Sequence, residues 1–204
     1  MATVRSSHRD PGSLHPASPR ERIERTAYEL FSRHGIRAVG VDTIAARAGV
    51  AKMTLYKNYP SKDELALAFL RDRGEIWTRG WLQREVECRG GTAGDKLLAI
   101  FDLFDEWFRR ADFEACAFAR VLFEHERGHP VRRAAVRHIG NIRSFIRRLA
   151  DDAGAGDPDG FARQWQILML GSIVAAYAGD PDAARRARAV GLRLLADETA
   201  CRSR

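Results

Sequence analysis

Cysteine is scarce in this chain: Cys88, Cys116 and Cys201 are the only three, they lie far apart, and no CxxC pair exists. An odd number of scattered thiols excludes a disulfide framework and a zinc ribbon. It leaves buried or idle thiols, with a switch by oxidation at Cys88 or Cys116 as the alternative. Long hydrophobic runs are missing too. No stretch approaches the roughly 20 apolar residues that span a bilayer, so no membrane contact is expected and the cytoplasm is the expected location. The first 18 residues, MATVRSSHRDPGSLHPAS, have no apolar centre like that of a signal peptide. Rich in Ser, Pro, His and Arg, they read as a disordered basic arm. There is no convincing strand pair and no internal repeat, and no cofactor is implied.

One stretch imitates an enzyme. Residues 125–129, HERGH, fit the H-E-x-x-H pattern of a zinc metalloprotease. That site needs both His on one face of one helical turn, with the Glu over the metal-bound water. Gly128 sits inside the turn and Pro130 follows His129, a combination that ends helices. The stretch therefore reads as a connection between helices, and no metal is expected. A metal hydrolase built on His125, Glu126 and His129 is the rival enzyme reading.

Lysine is almost absent, and its placement is uneven. Three of the four lysines, Lys52, Lys57 and Lys62, fall in one short stretch. Residues 1–62 carry 11 basic against 5 acidic residues, a net of +6, whereas residues 63–204 carry 23 against 22, a net of +1. A basic N-terminal unit points to a polyanionic partner.

What is present is helical punctuation. Pro19 opens a helix that Gly35 closes, with Ile23, Ala27, Leu30, Phe31 and His34 at helical spacing. Asp42 or Thr43 is expected to cap a short helix ending at Gly49. A second short helix stops at Pro60. Ser61, with Glu64 three residues on, predicts a capping box for a long helix from Lys62 to about Glu87. Further helices are expected over 95–110, 113–126, 131–151, 161–178 and 183–197. The helix over 161–178 is apolar nearly all round and must be buried on more than one side. The expected fold is all-α with nine helices. Residues 1–18 form the arm, 19–60 a unit of three helices, and 61–204 a second unit of longer helices.

The two short helices meet at Ala48-Gly49-Val50-Ala51, which is helix-turn-helix spacing. Ile44, Ala45, Ala48, Val50 and Leu55 would fix their angle. The presented helix offers Lys52, Met53, Thr54, Tyr56, Lys57 and Asn58. Lys suits guanine edges or phosphates, Asn suits adenine, and Met or Tyr suits a thymine methyl.

GVDTIAARAGVAKMTLYKNYPSKDEL at 40–65, preceded by RERIERTAYELFSRHGIRAVGV, resembles the N-terminal signature of the TetR family of transcriptional repressors. The family usually carries Phe where Tyr59 stands. The C-terminal half, EACAFARVLFEH, HPVRR and DPDGFARQWQILMLGSIVAA, is similar in organisation only. The resemblance implies a nine-helix TetR-like architecture, with 19–60 a helix-turn-helix DNA-binding domain and 61–204 an effector-binding and dimerisation domain, and a homodimeric repressor, released from a palindromic double-stranded operator by a small-molecule effector. It implies phosphate contacts from Thr43, Tyr56 and Lys62, and base contacts from Lys52, Met53 and Thr54, with Lys57 and Asn58 at the edge.

It also implies a dimer surface on the last two helices. Trp165, Leu168, Ser172, Ala175 and Ala176, with Ala184, Ala187, Gly191 and Leu194, suit that face. An effector cavity would draw on the aromatic residues Trp77, Trp81, Phe104, Trp107, Phe108, Phe118, Phe123 and Trp165. Arg120, Glu124 and His138, polar residues on otherwise apolar helices, would join it.

Overall fold

Proline, serine, threonine and glycine cut the chain into nine helical rods among the described residues, with no strand. The structure is a computed structural model and describes residues 17–201. The elements are α1 (Pro19–His34), α2 (Val41–Ala48), α3 (Lys52–Asn58), α4 (Lys62–Arg73), a π-helical stretch (Gly74–Gln83), α5 (Arg84–Cys88), α6 (Ala93–Phe108), α7 (Ala117–Glu124), α8 (Pro130–Asp152), α9 (Pro158–Tyr177) and α10 (Ala183–Cys201). The segment from α4 through the π stretch to α5 runs without a break and counts as one rod. The chain divides after Ile76 into two compact units. Within the first of these units α4 packs on α1.

Caps explain the boundaries. Ser18 and Glu21 form a reciprocal capping box over α1, and Thr92 and Asp95 do the same for α6. The basic arm expected over 1–18 lies outside the described residues except for its end, where Ser18 serves as this cap. Ser61 accepts from the Glu64 amide at 3.1 Å, one half of the box expected for α4. Neither Asp42 nor Thr43 caps α2. Gly40 holds that position, and both residues lie in the first turn. The helix expected from 113 begins only at Ala117, because Ala115 takes a left-handed backbone with φ 61°.

The first unit closes over Ile23, Phe31, Ile44, Leu55 and Leu65, with the Phe69 ring 5.5 Å from both Tyr28 and Phe31. The second closes over α6, whose Leu97, Ile100, Phe101 and Leu103 meet Ile146, Phe161, Trp165 and Ala184. Arginines of α10 pair with aspartates of α6: Arg188 with Asp102 at 2.9 Å and Arg185 with Asp105 at 3.6 Å. Such exposed pairs contribute at most about 1 kcal/mol each.

The HERGH stretch forms a connection. His125 ends α7 in extended backbone, Gly128 has φ 90°, and His129 caps α8 by accepting from the Val131 amide. The two His therefore do not share one helical turn. Among the described residues no group of three or more His, Cys, Asp or Glu could hold a metal.

Candidate functional site

The turn between α2 and α3 is built on Gly49. Its φ of 64° is left-handed, and the Gly49 and Val50 amides return to Ala46 O at 3.2 Å and Ala45 O at 3.0 Å. This is the Schellman arrangement, which satisfies the last carbonyls of α2. Ile44 and Leu55 are fully buried on either side of the turn. With Leu55 inward, the opposite face of α3 is presented outward.

That face carries most of the residues expected to read DNA. Met53 is 79% exposed, and Lys52, Tyr56 and Lys57 are also exposed. Thr43 is exposed on α2, and Thr54 is half-buried. Two of the expected contact residues are bonded within the unit. The Asn58 side-chain amide donates to Thr54 O at 2.8 Å, so it is turned back on its own helix rather than held out to a base. The Lys62 ammonium donates to Arg37 O at 3.3 Å.

Sequence reasoning missed the residues that orient α3. Lys52 Nζ lies 2.8 Å from Asp42 Oδ1 on α2, and this bond raises the Lys52 pKa. Tyr59, at the C-terminal end of α3, is buried and donates its phenolic hydrogen to Glu24 on α1. Burial first, and then that bond, push the phenol above its ordinary range. Arg20 pairs with Glu24 at 3.0 Å and lies over the Tyr59 ring at 4.9 Å. Arg22 reaches Gly49 O at 3.4 Å. Arg73, buried at the end of α4, donates to Tyr28 Oη at 3.1 Å and Ser32 Oγ at 3.4 Å. The available signal was the departure at Tyr59: a hydroxyl added at an apolar position asks for a partner.

In the second unit the aromatic residues expected in a pocket divide into groups. Trp77, Trp81 and Trp107 lie with ring centroids 4.8 to 6.1 Å apart, and Phe104, Phe108 and Phe113 pack around Trp107. The buried Trp107 Nε1 has no hydrogen-bond partner. Phe118 and His138 form a second group: their rings stack at 3.6 Å, and His138 Nε2 shares a hydrogen bond of 2.9 Å with Thr78 Oγ1. Burial first, and then the nearby Arg79 charge, lower the His138 pKa to about 4.

Trp165 belongs to neither group. It is fully buried against Phe101 and Phe161. Phe123 is 88% exposed and turns away from any interior, which corrects its place in the pocket. Arg120 donates to Glu114 O at 3.3 Å, and Glu124 is half-buried at the end of α7. A cavity of about 300 Å³ opens beside Phe161, Ala150 and Leu195. None of the expected pocket residues lines it.

The residues expected on the dimer face divide between the core and the surface. Trp165, Ser172, Ala184, Ala187 and Gly191 point into the unit's own core. A Cβ on Gly191 would sit 2.7 Å from the Trp165 ring, so the close approach its small size permits is internal. Leu168, Ala175, Ala176 and Leu194 are half-buried. The outward stripe of α9 is instead Ile167, Gly171 and Val174, with Ile167 70% and Val174 65% exposed.

Cys88 is exposed and Cys116 half-buried, and neither is in a disulfide. No helix among the described residues is long and apolar enough to cross a membrane.

Comparison with known proteins places this geometry. The profile of bacterial regulatory proteins, tetR family, matches residues 23–69. A TetR-family transcriptional regulator from Streptomyces coelicolor has a similar structure, with TM-score 0.83 and 27% identity over 90% of this chain and 91% of that one. An uncharacterised HTH-type transcriptional regulator of Mycobacterium tuberculosis is 32% identical over 118 residues, 57% of this chain and 54% of its own. The chain thus spans about half the length of the curated relatives it matches. The HTH-type transcriptional activator FasR of Mycolicibacterium smegmatis is 51% identical over 45 residues, 22% of this chain and 20% of its own. These relatives are regulators, not enzymes. With residues 23–69, from α1 into α4, matched by the profile and 90% of the chain matched in fold by a solved TetR-family regulator, the chain carries the N-terminal domain and the fold of TetR-family transcriptional regulators.

Proposed function

We propose that this protein is a cytoplasmic, homodimeric DNA-binding transcriptional regulator, a repressor released from a palindromic operator by a small molecule. The observation that carries the reading is the outward face of α3. Lys52, Met53, Tyr56 and Lys57 stand exposed on a seven-residue helix whose Leu55 anchors it from behind. Lys52 and Met53 then address base edges, Thr43 and Tyr56 hold phosphates, and Lys57 lies at the margin. Two copies are needed because palindromic half-sites about one helical turn apart require two reading helices. The Ile167, Gly171 and Val174 stripe supports α9 as the meeting face, since Gly171 permits close approach.

The effector site centres on Trp107. Its buried N–H lacks an acceptor, and a buried donor left unpaired costs about 1–3 kcal/mol. An aromatic ligand carrying a hydrogen-bond acceptor would relieve that cost among the surrounding rings. Such a ligand acts only if it binds the DNA-releasing state more tightly.

The test is selection of bound duplex from a random pool, repeated with Lys52→Ala. A palindrome that emerges with the wild type and weakens or relaxes with the variant supports the reading. Failure to enrich any sequence overturns it.

A further inference from the structure

Asp42 is the only acidic residue between Glu29 and Asp63, a stretch that holds Arg33, Arg37, Arg47, Lys52, Lys57 and Lys62. It does not stand apart from the reading surface. It sits on the first turn of α2, with its carboxylate 2.8 Å from the ammonium of Lys52, the first residue of α3. Both side chains are open to water, at 53% for Lys52 and 72% for Asp42. A carboxylate there is repelled by phosphates, so it weakens binding to any duplex. Such a charge calls for a return in selectivity.

We infer that Asp42 is a specificity-determining residue of the recognition surface, acting through Lys52. The inference rests on the DNA-reading role proposed above. An ammonium has three donors and no acceptor. With one donor committed to Asp42, two remain, and their direction is set. The O6 and N7 acceptors of a guanine in the major groove match that pair. Toward phosphates the Asp42–Lys52 couple is electrically neutral and releases no counterion, so Lys52 adds nothing to sequence-independent attraction. Asp42 thereby converts a cation that would grip any backbone into one that rewards a particular base.

The experiment measures affinity for the duplex selected by the wild type and for a random-sequence duplex of equal length, across a salt series. Asp42→Asn is expected to bind the random duplex several-fold more tightly. Its salt slope on that duplex should steepen by about 0.9, the share of one added phosphate contact. The ratio of selected to random affinity falls. Asp42→Glu keeps the carboxylate and restores the ratio, which separates pairing from any effect on folding.

In a Lys52→Ala background Asp42→Asn should leave the ratio unchanged. Equal gains for Asp42→Asn with and without Lys52 would mean bare repulsion and would overturn the inference, as would an unaltered ratio in the single variant. A wild type that selects no duplex at all removes the regulator reading itself, an outcome visible before any variant is made.

Discussion

Tyr59, at the foot of α3, donates its phenolic hydrogen to Glu24 on α1, and Arg20 completes the contact from the ring face and the carboxylate. One polar cluster thus ties the end of the reading helix to the first helix of the unit. Tyr59→Phe removes the donor and keeps the ring. Glu24 retains Arg20, so the expected loss is about 1.5 kcal/mol, at the lower end for a bond to a charged acceptor. The loss should appear as a lower thermal midpoint. DNA affinity should fall by more than the stability change alone allows, because α3 loses its fixed end. A variant with unchanged affinity would show that the packing of the ring suffices.

Gly191 lies against Trp165. An added Cβ would meet that ring at 2.7 Å and the Phe101 ring at 3.2 Å. Ala for Gly within a helix ordinarily gains about 1 kcal/mol, whereas overpacking a core costs about 1–3 kcal/mol. Trp165 is fully buried and has little room to move, so the clash should win and Gly191→Ala should lower the thermal midpoint. Trp165→Phe in the same chain should recover part of the loss. If Gly191→Ala instead disrupted association without affecting the melting of the subunit, the residue would belong to an interface after all.

These two pairs show where sequence reading succeeds and where it stops. Gly35, Gly49 and Pro60 mark helix ends through local backbone chemistry, so the boundaries of α1 to α3 were legible. The inward set Ile44, Ala48 and Leu55 followed from spacing alone. Gly191 reads as allowing close approach at a dimer face, whereas the close approach here is to a ring on another helix of the same unit. Helix α9 is apolar nearly all round, and periodicity cannot say which side meets its own core. The Asp42–Lys52 pair joins two helices across a turn, and the π stretch changes the register of a helix, so neither leaves a pattern in composition. Asn58 looked available to bases, yet a carbonyl one turn back on its own helix took its donor.

His138 predicts a pH response. Its ring is packed on Phe118 and bonded to Thr78, and burial lowers its pKa from 6.5 to about 4. The unfolded chain therefore binds a proton between these values that the folded chain refuses. Stability attached to His138 is whole above about pH 6.5 and is lost as the pH falls toward 4. Allowing for the ring's remaining contact with water, the loss is at most about 2 kcal/mol. Denaturant unfolding at pH 7.5 and pH 4.5 should show a smaller difference for His138→Gln than for the wild type. Equal differences would place the acid sensitivity in other groups.

The outward stripe of α9 makes the clearest demand on the proposed dimer. Ile167 and Val174 are seven residues apart, two helical turns, with Gly171 between them on the same face. They make little contribution to the core of the subunit, so Ile167→Lys with Val174→Arg should leave the melting of an isolated subunit nearly unchanged. Across a two-fold axis each introduced charge would meet its own copy or an apolar surface. Both arrangements oppose association, because a desolvated unpaired charge is costly. Sedimentation should then show a monomer where the wild type shows a dimer. Affinity for the selected palindrome should fall toward that of a single half-site, while binding to a lone half-site stays as it was. A variant that remains dimeric would move the interface elsewhere, and one that loses half-site binding as well would point to damage in the reading unit rather than to lost pairing.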